Sequence, residues 1–487
     1  MRQTLAFADY MPDQPDFQNP GVPLATNCVP KAKTFGPLAG LAGYTAALAA
    51  APKGCYSFQR DGTNYFFAGT AVALYQLSAT KTWTNVTRSS GVAYATATTD
   101  AWRMVDFGTY VVAVNGTDAT QYFEVGVSTK FEPLAGSPPI ARHIAIVKQF
   151  LVLGNLSTDT TKVQWSAQGS PVGWTAGTGL SDSQILPDGG EVVGLIGGEY
   201  GLIFQRRAIQ RMDFQPGSPL IFTFSPLISG ENAVGCMAAG SIVEVRGGAY
   251  FISDNGFEYC DGVSVRNIGT QRVNDFFLND VDQSLTYLIS STVDPISGLI
   301  MWSYPGSGNT GSPNHQLIYN PFVDKWSYAE QTAQFLSQGY SFGYTLDDLD
   351  AITTNLELLP YSLDSRYWQS GTLLMGGWDS SNKFGFFNGL ALQAVIETTE
   401  WGGDSTSLVT AARPLVGGVD TCQVEIGSRY RQADDPTYST AATMGTVGKC
   451  FMRSNGRYHR ARLTIPSQTF WSHAQGVDIE FEYSGDR

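Results

Sequence analysis

Along this chain, alternating apolar strands keep returning with the same punctuation. A strand is followed by a Gly, Asp or Asn turn, then by a second strand, and often by a Trp or Tyr. The unit occurs as CYSFQRDGTNYFFAG (Cys55 to Gly69), WRMVDFGTYVVAVNG (Trp102 to Gly116) and ARHIAIVKQFLVLGN (Ala141 to Asn155). It occurs again as EVVGLIGGEYGLIFQ (Glu191 to Gln205), GSIVEVRGGAYFISDNG (Gly240 to Gly256) and SSTVDPISGLIMWSYP (Ser290 to Pro305). The starts lie about 40 to 50 residues apart, the period of a four-stranded propeller blade. A single blade leaves both of its faces uncovered, and only a closed ring gives each sheet two neighbours. The pattern therefore predicts an all-β fold, a β-propeller of six or seven blades. The count turns on whether Leu346 to Phe387 forms one.

The flanks differ from this middle. Residues 1–52 carry Pro12, Pro15, Pro20, Pro23, Pro30 and Pro37, which break long strands and helices. They read as an extended arm, with the small-residue run Leu38 to Ala51 open between a short helix and a loop. Residues 53–389 hold the blades. Residues 390–487 read as antiparallel strands: Ala391 to Trp401, Asp420 to Tyr430, Gly456 to Ile465 and Val477 to Gly485. The last two alternate apolar and polar cleanly, as strands with one wet face do. This tail either closes the ring by giving strands to the first blade or forms a small β domain. Helical periodicity is confined to Val273 to Gln283, where Val273, Phe276, Phe277 and Val281 share a face and Asn274 or Asp275 is placed to cap. The rings of Trp83, Trp165 and Trp326 suit the wedges between blades.

Composition fits short strands and tight turns. Of 487 residues 43% are hydrophobic and only 15% charged, and 53 are Gly. The 30 basic and 43 acidic residues leave a net charge of −13, which argues against adsorption of duplex DNA by the protein as a whole. Two basic clusters, Arg206/Arg207/Arg211 and Arg453/Arg457/Arg460/Arg462, read as solvated strand faces. The start MRQTLAFADYMPDQPDF lacks an apolar signal core, and TAALAAAP near Ala50 is too short to span a bilayer. A soluble protein made in a cytoplasm is expected, with its six scattered cysteines mostly buried free thiols. Spacing alone leaves a Cys236–Cys260 or Cys422–Cys450 bridge open.

Chemical motifs are sparse. GYSFG centres Ser341 in Gly-x-Ser-x-Gly, yet no helical start follows, and the only later histidines are His459 and His473. GSGNTG (Gly306 to Gly311) has the spacing of a dinucleotide loop but runs into another strand, HQLIYN, and reads as a hairpin loop. His143, His315, His459 and His473 are isolated, and DDLD (Asp347 to Asp350) and DVD (Asp280 to Asp282) lack the spacing of a calcium loop. No sialidase-type Ser-x-Asp-x-Gly-x-x-Trp box occurs. The expectation is no catalytic, cofactor-binding or metal site, and no enzyme.

Several stretches carry a resemblance in order along the chain. FLVLGN…VQWSAQGSPVGW (Phe150 to Trp174), LIFQRRAIQRMDF (Leu202 to Phe214), FISDNGFEYCDG with NIGTQRVNDFF (Phe251 to Phe277), LIYNPFVDKWS (Leu317 to Ser327) and the ending from GRYHRARLTIP are similar to blocks of the tail hub, or nozzle, proteins of short-tailed bacteriophages. These are also called phage stabilisation or head-closure proteins. The resemblance covers most of the chain past about residue 140 and implies a structural virion protein. It implies a homohexameric ring below the portal and its adaptor, holding tail fibres or tailspikes and closed by a needle or plug. Viral double-stranded DNA would pass through the bore without specific binding, and no membrane is involved. The subunit would be assembled in the host cytoplasm and end in the virion. The family brings no catalytic residues. An acidic lumen repels phosphate, so the bore is expected to be lined by Asp, Glu, Ser, Thr and Asn. The alternative is a carbohydrate-binding, lectin-like propeller that uses its aromatics as sugar platforms.

Overall fold

In a computed structural model the chain forms a ring of four-stranded antiparallel sheets joined to a broad β extension; the structure described is that of residues 1–228, 233–419 and 421–485. Asp420, at the start of one expected strand, and the last two residues lie outside it. The first blade is Cys55–Arg60, Thr63–Gly69, Leu74–Leu77 and Trp83–Asn85. The second opens at Arg103–Phe107, the third at Ala141–Val147, the fourth at Val192–Ile196 and the fifth at Val243–Val245. The sixth is Ser290–Val293, Ile300–Tyr304, His315–Asn320 and Lys325–Glu330. Each of the six repeated units supplies the first two strands of one of these blades.

A seventh four-stranded unit completes the ring. Phe335–Tyr340, Leu373–Trp378 and Lys383–Phe386 take their fourth strand from the arm, Ala42–Ala47, paired antiparallel to Lys383–Phe386. Six of the four-stranded units stand as separate sheets, and the sixth blade is continuous with a sheet of fifteen strands. Two expectations are corrected here. The run Leu38 to Ala51 is neither helix nor loop at its centre but the closing strand, so the boundary at residue 52 cuts through a blade. Of the two readings of the tail, ring closure falls: among the described residues it gives no strand to the first blade, whose four strands are Cys55–Arg60 to Trp83–Asn85.

The second strand of each unit is apolar at consecutive positions because it is covered on both faces. Val111, Val112, Ala113 and Val114 are all buried. Side chains alternate between faces, so Val111 and Ala113 join Phe67 and Met104 toward the first blade. Val112 and Val114 join Ile144 and Leu151 toward the third. Large rings fill the outer wedges. Trp83 stacks on Trp378 at 5.4 Å between the first and seventh blades, Trp165 meets Phe222 at 5.1 Å between the third and fourth, and Trp326 meets Phe257 at 4.9 Å between the fifth and sixth. Burying such a ring contributes about 2–3 kcal/mol. The Asp61–Gly62 turn has φ of 48° and 74°, the paired positive angles of a two-residue hairpin.

The extension is woven from both ends of the chain. Leu24–Thr26 lies between Lys325–Glu330 of the sixth blade and Ala394–Glu397 of the tail, bonded to both. Ala394–Glu397, Trp401–Gly417, Gln423–Arg429, Cys450–Ile465 and His473–Gly485 then pair antiparallel, and Arg2–Ala6 lies along His473–Gly485. The arm also caps the expected helix, observed at Asn274–Asp280: the Asp13 carboxylate accepts from the backbone N–H groups of Asp275 and Phe276 at 3.1 and 2.7 Å. Asn274 and Asp275 were the expected caps. Asn274 instead turns inward, accepting from the N–H of Phe257 and donating to Asn267.

Candidate functional site at the propeller axis

Closure of the ring brings the openings of the innermost strands together on its axis. Arg103 begins the innermost strand of the second blade, Arg142 and His143 follow the first residue of the third, and Glu191 precedes the fourth. With segments of the later blades they line a cavity of about 200 Å³. A smaller chamber of about 100 Å³ shares Arg103 and His143 and reaches Glu244.

The charges in the cavity are unequally matched. Arg142 Nε lies 3.2 Å from Asp100, whose side chain is only 8% exposed. Burial raises the Asp100 carboxyl above its usual range, against the pull of Arg142 and Lys53. Arg206 donates from Nη1 to the carbonyl of Met237 at 2.5 Å and has Asp254 at 3.8 Å. His143 is pushed down to about 3 by burial, then by Arg103 and Arg142, and is neutral at physiological pH. The Arg103 side chain has no hydrogen bond or ion pair among the described residues, and burial lowers its pKa. The lining thus sets three guanidinium groups against the carboxylates of Asp100 and Glu191. It contains no nucleophile and base in contact.

The motifs noted in the sequence lie elsewhere. Ser341 is buried, and its Oγ accepts from the N–H of Gly343 at 2.9 Å. GSGNTG joins Ile300–Tyr304 to His315–Asn320 as a hairpin loop, held by a bond from Ser307 N to Asp280 at 3.0 Å. Asp280 also contacts His315 Nδ1 at 2.7 Å, and these bonds, outweighing burial that raises it, keep its carboxyl below the usual range. Asp348 forms a capping box with Thr345 on Leu346–Asp350 and takes Lys81 Nζ at 2.7 Å. Among the described residues no group of three His, Cys, Asp or Glu is placed to hold a metal ion. All six cysteines are free.

The reading of the basic clusters as solvated faces holds for Arg206, Arg207 and Arg453, which are exposed, and is corrected for Arg211, Arg460 and Arg462, which are drawn into contacts. Arg206 lines the axis, and Arg211 pairs with Asp213 while lying over the Tyr200 ring at 4.1 Å. Arg460 and Arg462 place Nε at 2.9 and 2.7 Å from the buried Glu397, whose oxygens also accept from Tyr438. Opposite charge at the seam between arm and tail draws these arginines in: Arg460 reaches Asp16 of the arm at 3.0 Å.

Sequence reasoning missed the axial set. The available signal was positional: a basic residue opens the inner strand in two successive units, WRMVDF and ARHIAIV. It also missed a Ser–His contact, Ser407 Oγ to His459 Nε2 at 2.9 Å, with Ser428 Oγ on Nδ1 at 2.7 Å. Nothing in spacing marks this contact, since the residues meet only through strand register. His459 Nε2 also lies 3.1 Å from the carbonyl of Gly456, an acceptor that fixes the proton on Nε2 and leaves that nitrogen unable to take one from Ser407. Burial pushes His459 down to about 4. Beside this contact a cleft of about 440 Å³ runs between arm and tail, lined by Phe17, Trp401, Phe481, Tyr483 and Arg457.

No known family model matches this chain, and no curated protein matches it. Among solved structures, the Pan2 WD40 domain of Neurospora crassa aligns with a TM-score of 0.38 at 9% identity, covering 63% of this chain and 90% of that one. The computationally designed Ika8 protein gives 0.35 at 11%, covering 72% and 99%. An exo-β-1,3-galactanase of Phanerochaete chrysosporium gives 0.30 at 9%, covering 91% and 100%. These scores are too low to bear on function, and the propeller rests on the strand pairing described above.

Proposed function

We propose that this chain is a structural, non-enzymatic subunit of a short-tailed phage tail, the hub or nozzle ring below the portal adaptor. The observation that carries the reading is the fifteen-stranded sheet running from the sixth blade through Leu24–Thr26 into the tail. Backbone pairing through Leu24–Thr26 joins the two parts, by one bridge to the sixth blade (Thr26 with Tyr328) and three pairs to the tail, and the first strand of the chain lies against its last. A wall that retains packaged DNA needs this continuity, because a hinged domain would yield under load. The ordered blocks from Phe150 to the C-terminus that resemble the nozzle family add to it, and so does the net charge of −13. An acidic bore lets a duplex slide rather than adhere.

On this reading the subunits form a homohexamer that holds fibres or spikes, is closed by a needle or plug, and is carried in the virion after assembly in the host cytoplasm. Electron micrographs of the purified protein in low salt, alone and with its adaptor, test it. Rings with a central hole are expected in at least one of the two samples. A monomer in both, with a sedimentation mass near 52.6 kDa, refutes the proposal.

A second reading, a carbohydrate-binding propeller, draws on the aromatic cleft at Phe17, Trp401 and Tyr483. Specific glycan-array signal from a monomer, abolished by Tyr483→Ala, would favour it over the ring.

A further inference from the structure

We propose that the axial cavity is a binding site for a small oxyanion, a phosphate or a low-molecular-weight carboxylate, seated on Arg103. Six of the seven blades enclose the cavity, from Asp100 of the second to Phe335 of the seventh. Arg103 stands where its two chambers meet. A guanidinium keeps its charge under any physiological condition, and that of Arg103 is half-buried without a counter-ion, which is unfavourable.

The neighbouring carboxylates do not supply that counter-ion. Asp100 is committed to Arg142 and Asp254 lies near Arg206. Glu191 and Glu244 line the walls without an ion pair to Arg103, and burial raises the Glu244 carboxyl. The Asn155 amide donates to the carbonyl of Val192 at 2.8 Å, which fixes that wall. His143, neutral beside Arg103, adds no charge to the site. The site thus sets one unpaired, fork-shaped cation in an enclosure of about 200 Å³, below the size that drug-like ligands fill. Its planar donors match two oxygens of a carboxylate or phosphate.

The test uses the full chain at constant ionic strength in a chloride buffer. Inorganic phosphate and malonate are titrated separately into the millimolar range, followed by calorimetry and by the melting temperature. Saturable single-site binding of one of them is expected, and the one with the lower half-saturation names the class. Arg103→Met should abolish the saturable response and, without added anion, melt no lower than the wild type, because the unpaired charge is gone. Arg103→Lys keeps the charge and loses the fork, so affinity should fall about tenfold. Absence of saturation by both anions overturns the proposal. So does saturation retained in Arg103→Met, unchanged affinity in Arg103→Lys, or an Arg103→Met protein that melts well below the wild type.

Discussion

The closing strand of the ring is the sharpest place to test the fold. Tyr44 sits at its centre, 8% exposed. Its hydroxyl donates to the carbonyl of Gly343 at 3.0 Å and accepts from the N–H of Phe342 at 2.8 Å. Its ring lies 4.9 Å from Phe386 and 5.0 Å from Tyr344, with Lys81 Nζ at 4.3 Å. Tyr44→Phe strands the two backbone groups and should cost about 1–2 kcal/mol. Tyr44→Ala also empties an aromatic site between two blades and should cost about 3–5 kcal/mol. The loss falls on the seventh blade, so local opening is a better readout than a global melt of a large ring. Amide hydrogen exchange read by mass spectrometry should show Lys383–Phe386 and Phe335–Tyr340 exchanging about a hundred- to a thousandfold faster in Tyr44→Ala. Asp159–Trp165, in the third blade, should be unchanged. If the seventh blade speeds up by less than about threefold, equivalent to under 1 kcal/mol, the arm strand does not close the ring.

Three further outcomes follow from the packing of the arm and tail. Asp9 is pushed up to about 6 by burial, which outweighs the N–H of Trp326 and the charge of Arg272. Between about pH 4 and 6 the folded state therefore holds a proton the unfolded chain has released, and stability falls as pH rises through that window, by up to about 3 kcal/mol. His459 and His143, held neutral in the fold at about 4 and about 3, act with opposite slope, losing stability as pH falls below about 6.5. The difference between wild type and Asp9→Asn in urea midpoint against pH isolates Asp9, and a constant difference would sink the assignment. Glu397→Gln leaves Arg460 and Arg462, 12% and 31% exposed, without their shared carboxylate. With Asp16 and solvent offsetting part of the loss, it should cost about 2–4 kcal/mol in chemical denaturation, and a cost under about 0.5 kcal/mol would class the cluster with surface pairs. Ellman's reagent should find no fast thiol in the native protein and, without reductant, all six cysteines after denaturation; fewer than six would reveal a bridge.

The blades were legible because a sheet covered on both faces leaves no room for polar residues in its second strand. YVVAV and FLVLG announce this directly. The seventh blade was obscured for two physical reasons. An insertion carrying Leu346–Asp350 and Arg366–Trp368 separates Phe335–Tyr340 from Leu373–Trp378 and breaks the repeat spacing. Its fourth strand, AGYTAA, arrives from the far end of the sequence and has little strand propensity of its own. Only the pairing of Ala42 with Phe386 and Ala47 with Lys383 makes it a strand. The tail strands were legible by alternation, but their partner was not. Asp478 reads as a wet-face residue and is instead covered by Arg2 and Thr4 from the first strand.

The axial site was hidden for a related reason. In an isolated strand, Arg103 and Arg142 look like ordinary solvent-facing cations, and identity alone cannot separate them from Arg207, which lies off the axis cavity. What separates them is the distance of their strand openings from a ring axis that exists only once the last blade has been closed by Ala42–Ala47 of the arm. At that axis the neighbouring blades cover the charges in part, leaving Arg103 half-buried and Arg142 and Arg206 exposed. Arg142 is matched because the loop before the second blade carries Asp100 past it. Arg103 opens the strand that this same loop leads into and lines both chambers without an ion pair. The unmatched charge is therefore a consequence of blade geometry acting on a residue whose sequence neighbours are unremarkable. A search for such sites in propellers should start from the residues that open the inner strands rather than from motifs.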